Sequence, residues 1–150
     1  MSDQQEFSKF AEKLEVIANA YSLDYIRLFG SAVKSLSQAR DVDLLVGRSK
    51  FSIEDRANLL ADLEQLFTKP IDLIIPDRQV PSLLVREIGS TSMPLWEKPE
   101  MGRESYAKWI CPRLAVAEDE RLGFSVEMQN QSVKATQARL NRAVKGKQND

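Results

Sequence analysis

Residues 28–46 read LFGSAVKSLSQARDVDLLV. An apolar run ends on Gly30-Ser31, and the next apolar run contains two aspartates, Asp41 and Asp43. Side chains on a strand alternate between faces, so Asp41 and Asp43 point one way and Val42, Leu44 and Val46 the other. Two carboxylates roughly 6–7 Å apart along a strand repel each other unless something positive lies between them. Taken singly, Asp41 also suits a polar residue at a strand start. Asp43 does not read so simply, because a charge flanked by Val42, Leu44, Leu45 and Val46 is costly without compensation. Oxygen-only ligands in an open geometry suit Mg²⁺, which keeps waters and takes substrate phosphates as further ligands.

Downstream, IDLIIP (71–76) predicts a third strand in which Asp72 alternates with Ile71, Leu73 and Ile75. Asp72 alone also suits a turn acid after TKP. Pairing of this strand beside DVDLLV would bring a third carboxylate to the same face, and three converging acids are what two metal ions about 3.5–4 Å apart require. Upstream, Gly30 permits a sharp strand-to-helix turn, and Ser31 opens a short helix to about Ser37 whose free N–H groups favour phosphate. Lys34, one helical turn on, and Arg40 both read first as solvated surface charges. A phosphate cradle beside metal-binding carboxylates is a geometry for in-line nucleotidyl transfer.

The remaining elements frame this centre. Phe7, Phe10, Leu14, Ile17 and Tyr21 recur at three- and four-residue intervals, predicting an amphipathic helix over 3–21, with Ser2 and Gln5 placed as a capping box. YIRLFG (25–30) predicts the first strand. Ser52 with Asp55 opens a helix that buries Ala57, Leu60, Leu63 and Phe67 and ends at TKP. Pro81 starts another, which Gly89 is placed to cap. MPLWE (93–97) suits an edge strand, where Pro94 is tolerated. Residues 103–145 have helical character, expected to break or kink near Pro112 and Gly123, with Val126, Val133, Leu140 and Val144 as a thin apolar seam. From Lys134 to Lys147 the sequence has five basic residues (Lys134, Arg139, Arg142, Lys145, Lys147) and no acidic one. The expected organisation is a core of residues 1–98 and a helical extension, 99–150.

Composition narrows the chemistry. With 150 residues, 43% of them hydrophobic, the chain can bury one real core. Its formal net charge of −1 announces no nucleic-acid or membrane partner. MSDQQEF (1–7) lacks the basic-then-apolar pattern of a signal peptide, no apolar run is long enough to cross a bilayer, and the single cysteine, Cys111, suits a reducing cytoplasm, so an intracellular protein is expected. There is no histidine, which removes Ser-His-Asp and Cys-His mechanisms and His-ligated zinc. No Walker loop or G-x-G-x-x-G stretch appears. Carboxylates, hydroxyls, lysine and arginine must carry any reaction.

Gly30-Ser31, then Asp41-Val42-Asp43, then Asp72 inside a later strand resemble the pattern of the DNA polymerase β nucleotidyltransferase superfamily, and specifically its minimal nucleotidyltransferase (MNT) members. The resemblance covers roughly residues 5–98. It implies an α+β fold, a small mixed sheet with helices packed on it, followed here by the C-terminal helical extension. It implies that Asp41, Asp43 and Asp72 hold Mg²⁺, that Asp72 is the base toward an acceptor hydroxyl, and that Gly30 and Ser31 bind the triphosphate of ATP. Family members commonly carry a basic residue directly after Gly-Ser and a glycine three positions later; here those places hold Ala32 and Ser35, and Lys34 is the available substitute. The resemblance further implies a cytoplasmic antitoxin that transfers AMP to a HEPN-type ribonuclease toxin. A degenerate, non-catalytic binding partner and a small-molecule adenylyltransferase remain open alternatives. The basic segment 134–147 also leaves open a contact with RNA or an acidic partner.

Overall fold

The computed structural model describes residues 3–48, 50–76 and 79–148; the side chains of 3–7, 124–126 and 145–148 lie outside that description. The expected Ser2 capping box and the side chains of Phe7, Val126, Lys145 and Lys147 therefore fall outside it. In chain order the elements are α1 (Asp3–Ala20), β1 (Tyr25–Phe29), a 3₁₀ turn (Gly30–Val33), β2 (Val42–Val46), α2 (Ile53–Phe67), β3 (Ile71–Ile74), α3 (Ser82–Thr91), β4 (Met93–Glu97) and α4 (Gly102–Gln148). Two compact units result, Met1–Leu114 and Ala115–Asp150.

The first unit is a four-stranded mixed sheet in the order β3-β2-β1-β4. β1 is antiparallel to both β2 and β4, and β2 is parallel to β3. Parallel neighbours need a crossover, which α2 provides. β4 lies at an edge, and the register shifts between Ile26 and Arg27 where β1 meets Pro94, the irregular setting in which a proline without an N–H fits.

Strand alternation assigns the two faces. Ile26, Leu28, Val42, Leu44, Val46, Ile71 and Leu73 join Leu14 and Ala18 of α1 and Leu59, Leu63 and Phe67 of α2 in one buried cluster, with Phe10 edge-on to Phe67 at 5.0 Å between ring centres. Leu44 has no exposed surface. Leu44→Ala is expected to cost about 3 kcal/mol of unfolding free energy through lost burial and a residual cavity; a shift in denaturant midpoint worth less than about 1 kcal/mol would mean that the cluster collapses around the gap.

On the opposite face Tyr25, Phe29 and Leu45 are buried. α3 and the first turns of α4 cover its β1 side. Tyr106 of α4 stands edge-on to Tyr25 at 5.5 Å, and its ring lies 3.9 Å from the guanidinium carbon of Arg27. The Arg27 guanidinium also donates to the side-chain oxygen and carbonyl of Ser92, each at 3.0 Å.

Helix ends follow local chemistry. The Ser52 hydroxyl accepts from the Asp55 amide at 3.0 Å, and Thr68 ends α2 in the left-handed conformation (φ 56°). α3 differs from expectation: it runs past Gly89 to Thr91. A Cβ at Gly89 would sit 2.7 Å from the Leu114 side chain, so this glycine accommodates a close neighbour instead of ending the helix. α4 also differs, because Pro112 and Gly123 both lie inside it. The Arg113 guanidinium donates to the Trp109 carbonyl at 2.8 Å and stacks over the Trp109 ring, 4.9 Å from its centre, adding local contacts beside the proline. In the second unit, Val133, Leu140 and Val144 of the expected seam are exposed, as are Lys134, Arg139 and Arg142. Among the described residues no helix is long and apolar enough to cross a membrane.

Candidate active site

The centre of the sheet sets the site. Phe29, the last residue of β1, pairs with Asp43 of β2, and Asp43 pairs in turn with Asp72 of β3. Parallel register puts the two aspartates side by side on one face. Asp41, one residue before β2, is exposed, Asp43 is half-buried and Asp72 is exposed.

Gly30 closes the site on its other flank. Its φ of +76° is a left-handed conformation that costs a residue with a Cβ about 1–2 kcal/mol. A Cβ there would lie 2.2 Å from Oδ2 of Asp43. Gly30 is thus required twice, for the turn and for the approach of the carboxylate. The predicted helix from Ser31 to Ser37 is shorter than expected: a four-residue 3₁₀ turn, Gly30–Val33. Ala32 within it is buried at 3% exposure, so this position belongs to the core and presents no group to a phosphate. Ser35 keeps an ordinary backbone, absent from the positive-φ residues, and a glycine is not demanded there.

Electrostatics single out Asp43. Burial pushes its carboxyl up to about 6, and the neighbouring charges of Asp41, Asp72 and Glu87, together with a side-chain hydrogen bond to Asp72, act in the same direction. Asp43 and Asp72 are therefore within hydrogen-bonding reach, Asp41 is close enough to be felt, and α3 contributes a fourth acid. None of these aspartates has an ion-pair partner among the described residues. Nor do any three His, Cys, Asp or Glu side chains among the described residues close into a ready-made metal cage. The donor set nonetheless fits a hard divalent cation. It is all oxygen, it is crowded with negative charge, and a cation between the carboxylates would relieve the repulsion that raises Asp43.

Next to this pair, Ser31, Lys34, Ser35, Arg40 and Asp41 line a cleft. Of the three aspartates, Asp41 is the one on its wall. The structure thus brings Asp43 to both Asp72 and Gly30, and brings Ser31 and Lys34 to Asp41. Glu87 was not anticipated, since nothing in the spacing of α3 ties it to residue 43. Lys34 and Arg40, both read from the sequence first as solvated charges, line this cleft together.

The family model "Polymerase beta, Nucleotidyltransferase" matches residues 12–101. No curated protein matches by sequence. Solved structures do match by fold. A toxin-antitoxin structure with AMP-PNP is 17% identical with a TM-score of 0.60, covering 80% of this chain and 96% of that one. A tri-AMPylated Shewanella oneidensis HEPN toxin in complex with an MNT antitoxin is 15% identical with a TM-score of 0.59, covering 83% and 97%. The toxin-antitoxin pair MntA-HepT is 17% identical with a TM-score of 0.55, covering 81% and 98%. At such identity the likeness speaks for the fold, and the match over 12–101 carries the kinship: the chain belongs to the polymerase β nucleotidyltransferase family.

Proposed function

We propose that the protein is a Mg²⁺-dependent nucleotidyltransferase that moves AMP from ATP onto a hydroxyl of a protein partner, acting as the antitoxin of a HEPN/MNT pair. The observation that carries this reading is the side-by-side pairing of Asp43 and Asp72 against a glycine that leaves room for the carboxylate. The partner assignment is supported by fold neighbours that are toxin-antitoxin structures, one with an AMPylated HEPN toxin.

In this reading Asp41, Asp43 and Asp72 would hold Mg²⁺, which would supply positive charge to offset that of the triphosphate. Ser31 and Lys34 orient the phosphates from the cleft wall. Asp72, exposed at the sheet edge, takes the proton from the acceptor hydroxyl as that oxygen attacks the α-phosphorus, and pyrophosphate leaves with the electron pair of the broken P–O bond. The chemistry is assigned to residues 1–98, and 99–150 to the extension.

Incubation with ATP labelled at the α-phosphate, Mg²⁺ and the protein encoded by the adjacent gene is expected to label that protein on a hydroxyl side chain. Absence of label on the partner would defeat the proposal. Burial of Ala32, where the family commonly has a basic residue, favours a second reading in which the domain only binds and neutralises its partner. Neutralisation undiminished by loss of Asp43 would select that one.

A further inference from the structure

The loop between the 3₁₀ turn and β2 carries Lys34, Arg40 and Asp41, yet belongs to neither helix nor sheet. Its backbone has few anchors. The Ala39 amide donates to the Ser35 carbonyl at 3.1 Å, and at the far end the Val42 amide donates to the Pro70 carbonyl at 2.9 Å. Between these points one distant side chain reaches in. The ammonium of Lys69 donates to the carbonyl of Leu36 and, at 2.8 Å, to the carbonyl of Ala39. Lys69 is half-buried, follows the left-handed Thr68, and stands three residues before Asp72. It forms no ion pair among the described residues. A lysine whose donors go to two carbonyls of one loop fixes that loop, because each charge-assisted bond is stronger than a neutral one.

This placement joins parts of the site that come from different elements. Asp43 and Asp72 are set by strand pairing, but Asp41 and the cleft wall are set by the loop. Lys69 and Pro70 tie the loop to the strand that bears Asp72, one through its side chain and the other through its carbonyl. We propose that Lys69 is a positioning residue for nucleotidyl transfer, clamping residues 36–39 so that Asp41 and the Ser31–Arg40 cleft stand in register with the Asp43–Asp72 pair. The inference rests on the transferase reading for the chemistry it serves, and on the two carbonyl contacts for the clamp.

The test compares Lys69→Met, which keeps the stem and loses the donors, with Lys69→Arg, which keeps a charged donor. Binding of a non-hydrolysable ATP analogue with Mg²⁺ is expected to weaken roughly tenfold in the Met variant, the scale of one lost charge-assisted hydrogen bond. Amide exchange at Ala39, whose N–H is bonded to the Ser35 carbonyl, is expected to quicken by a similar factor while the α1–α2 core stays protected, and Lys69→Arg is expected to restore both. Unchanged analogue binding by Lys69→Met, or acceleration spread evenly over the core, overturns the inference while leaving the transferase reading standing. Wild-type protein that neither binds the analogue nor transfers AMP removes that reading and the positioning role with it.

Discussion

Replacing Asp43 with asparagine is expected to give a protein that, in chelator at neutral pH, is more stable than the wild type and, on the proposed transferase reading, transfers AMP on the order of 10³-fold more slowly. Both halves come from one geometry. Asp43 is buried enough, and close enough to Asp41, Asp72 and Glu87, that its carboxyl is pushed up to about 6 from an ordinary value of 3.8. A group whose folded value exceeds its unfolded one holds its proton longer in the native state. In chelator the protein therefore loses stability from Asp43 as pH rises from about 4 to about 6, the reverse of a salt-bridged carboxylate. The side chain is still substantially open to water, so screening leaves about 1 kcal/mol of the effect. The asparagine amide carries no charge to desolvate, so Asp43→Asn should show none of this slope. Thermal melts of both proteins in EDTA between pH 4.5 and 8 check the point; parallel curves would mean that burial and the neighbouring acids do not raise Asp43 in solution. The activity loss has the opposite origin, since the negative charge that strains the carboxylates against one another is what attracts a divalent cation.

Gly30→Ala carries the second large effect. The added Cβ would lie 2.2 Å from Oδ2 of Asp43 and 3.2 Å from its Cγ, on a backbone at φ +76°. The backbone conformation alone costs about 1–2 kcal/mol. The clash adds to that by driving the carboxylate from its place beside Asp72, so transfer should fall by about 10²-fold or more. The two penalties separate in a double-mutant cycle. In Gly30→Ala/Asp43→Ala the carboxylate is gone and only the Cβ of residue 43, 3.5 Å away, remains as ordinary contact. The double variant should be more stable than the sum of the singles by about 1 kcal/mol in chemical denaturation. Strict additivity would show that Gly30 and Asp43 do not touch in solution.

Most of the frame was legible because short-range rules govern it. The alternation Val42, Leu44, Val46 foretold the buried face, Ser52 with Asp55 foretold the start of α2, and Pro94 foretold an edge. What escaped depends on neighbours distant in sequence. Gly89 has the composition of a helix cap, and only the approach of Leu114 explains it inside α3. Pro112 carries a local penalty of about 3 kcal/mol, but α4 passes through it beside the Arg113–Trp109 contacts. Ser31 does open a turn, but burial of Ala32 draws it into a short 3₁₀ form. For the candidate site, the pairing of Asp43 with Asp72 followed from alternation, whereas Glu87 comes from a helix whose docking no local pattern encodes. Lys69 was legible as part of a stop signal, while its contacts lie 30 and 33 residues away.

The mixed sheet also decides which contact completes the aspartate pair. β1 and β2 are antiparallel neighbours, but β3 reaches β2 only through the α2 crossover, and β4 reaches β1 from still farther along the chain. Until β3 docks, Asp72 stands apart from Asp41 and Asp43, which already neighbour each other in sequence. The Asp43–Asp72 pair exists only once that crossover has closed, so the candidate site depends on the parallel β2–β3 pairing and not on either strand alone.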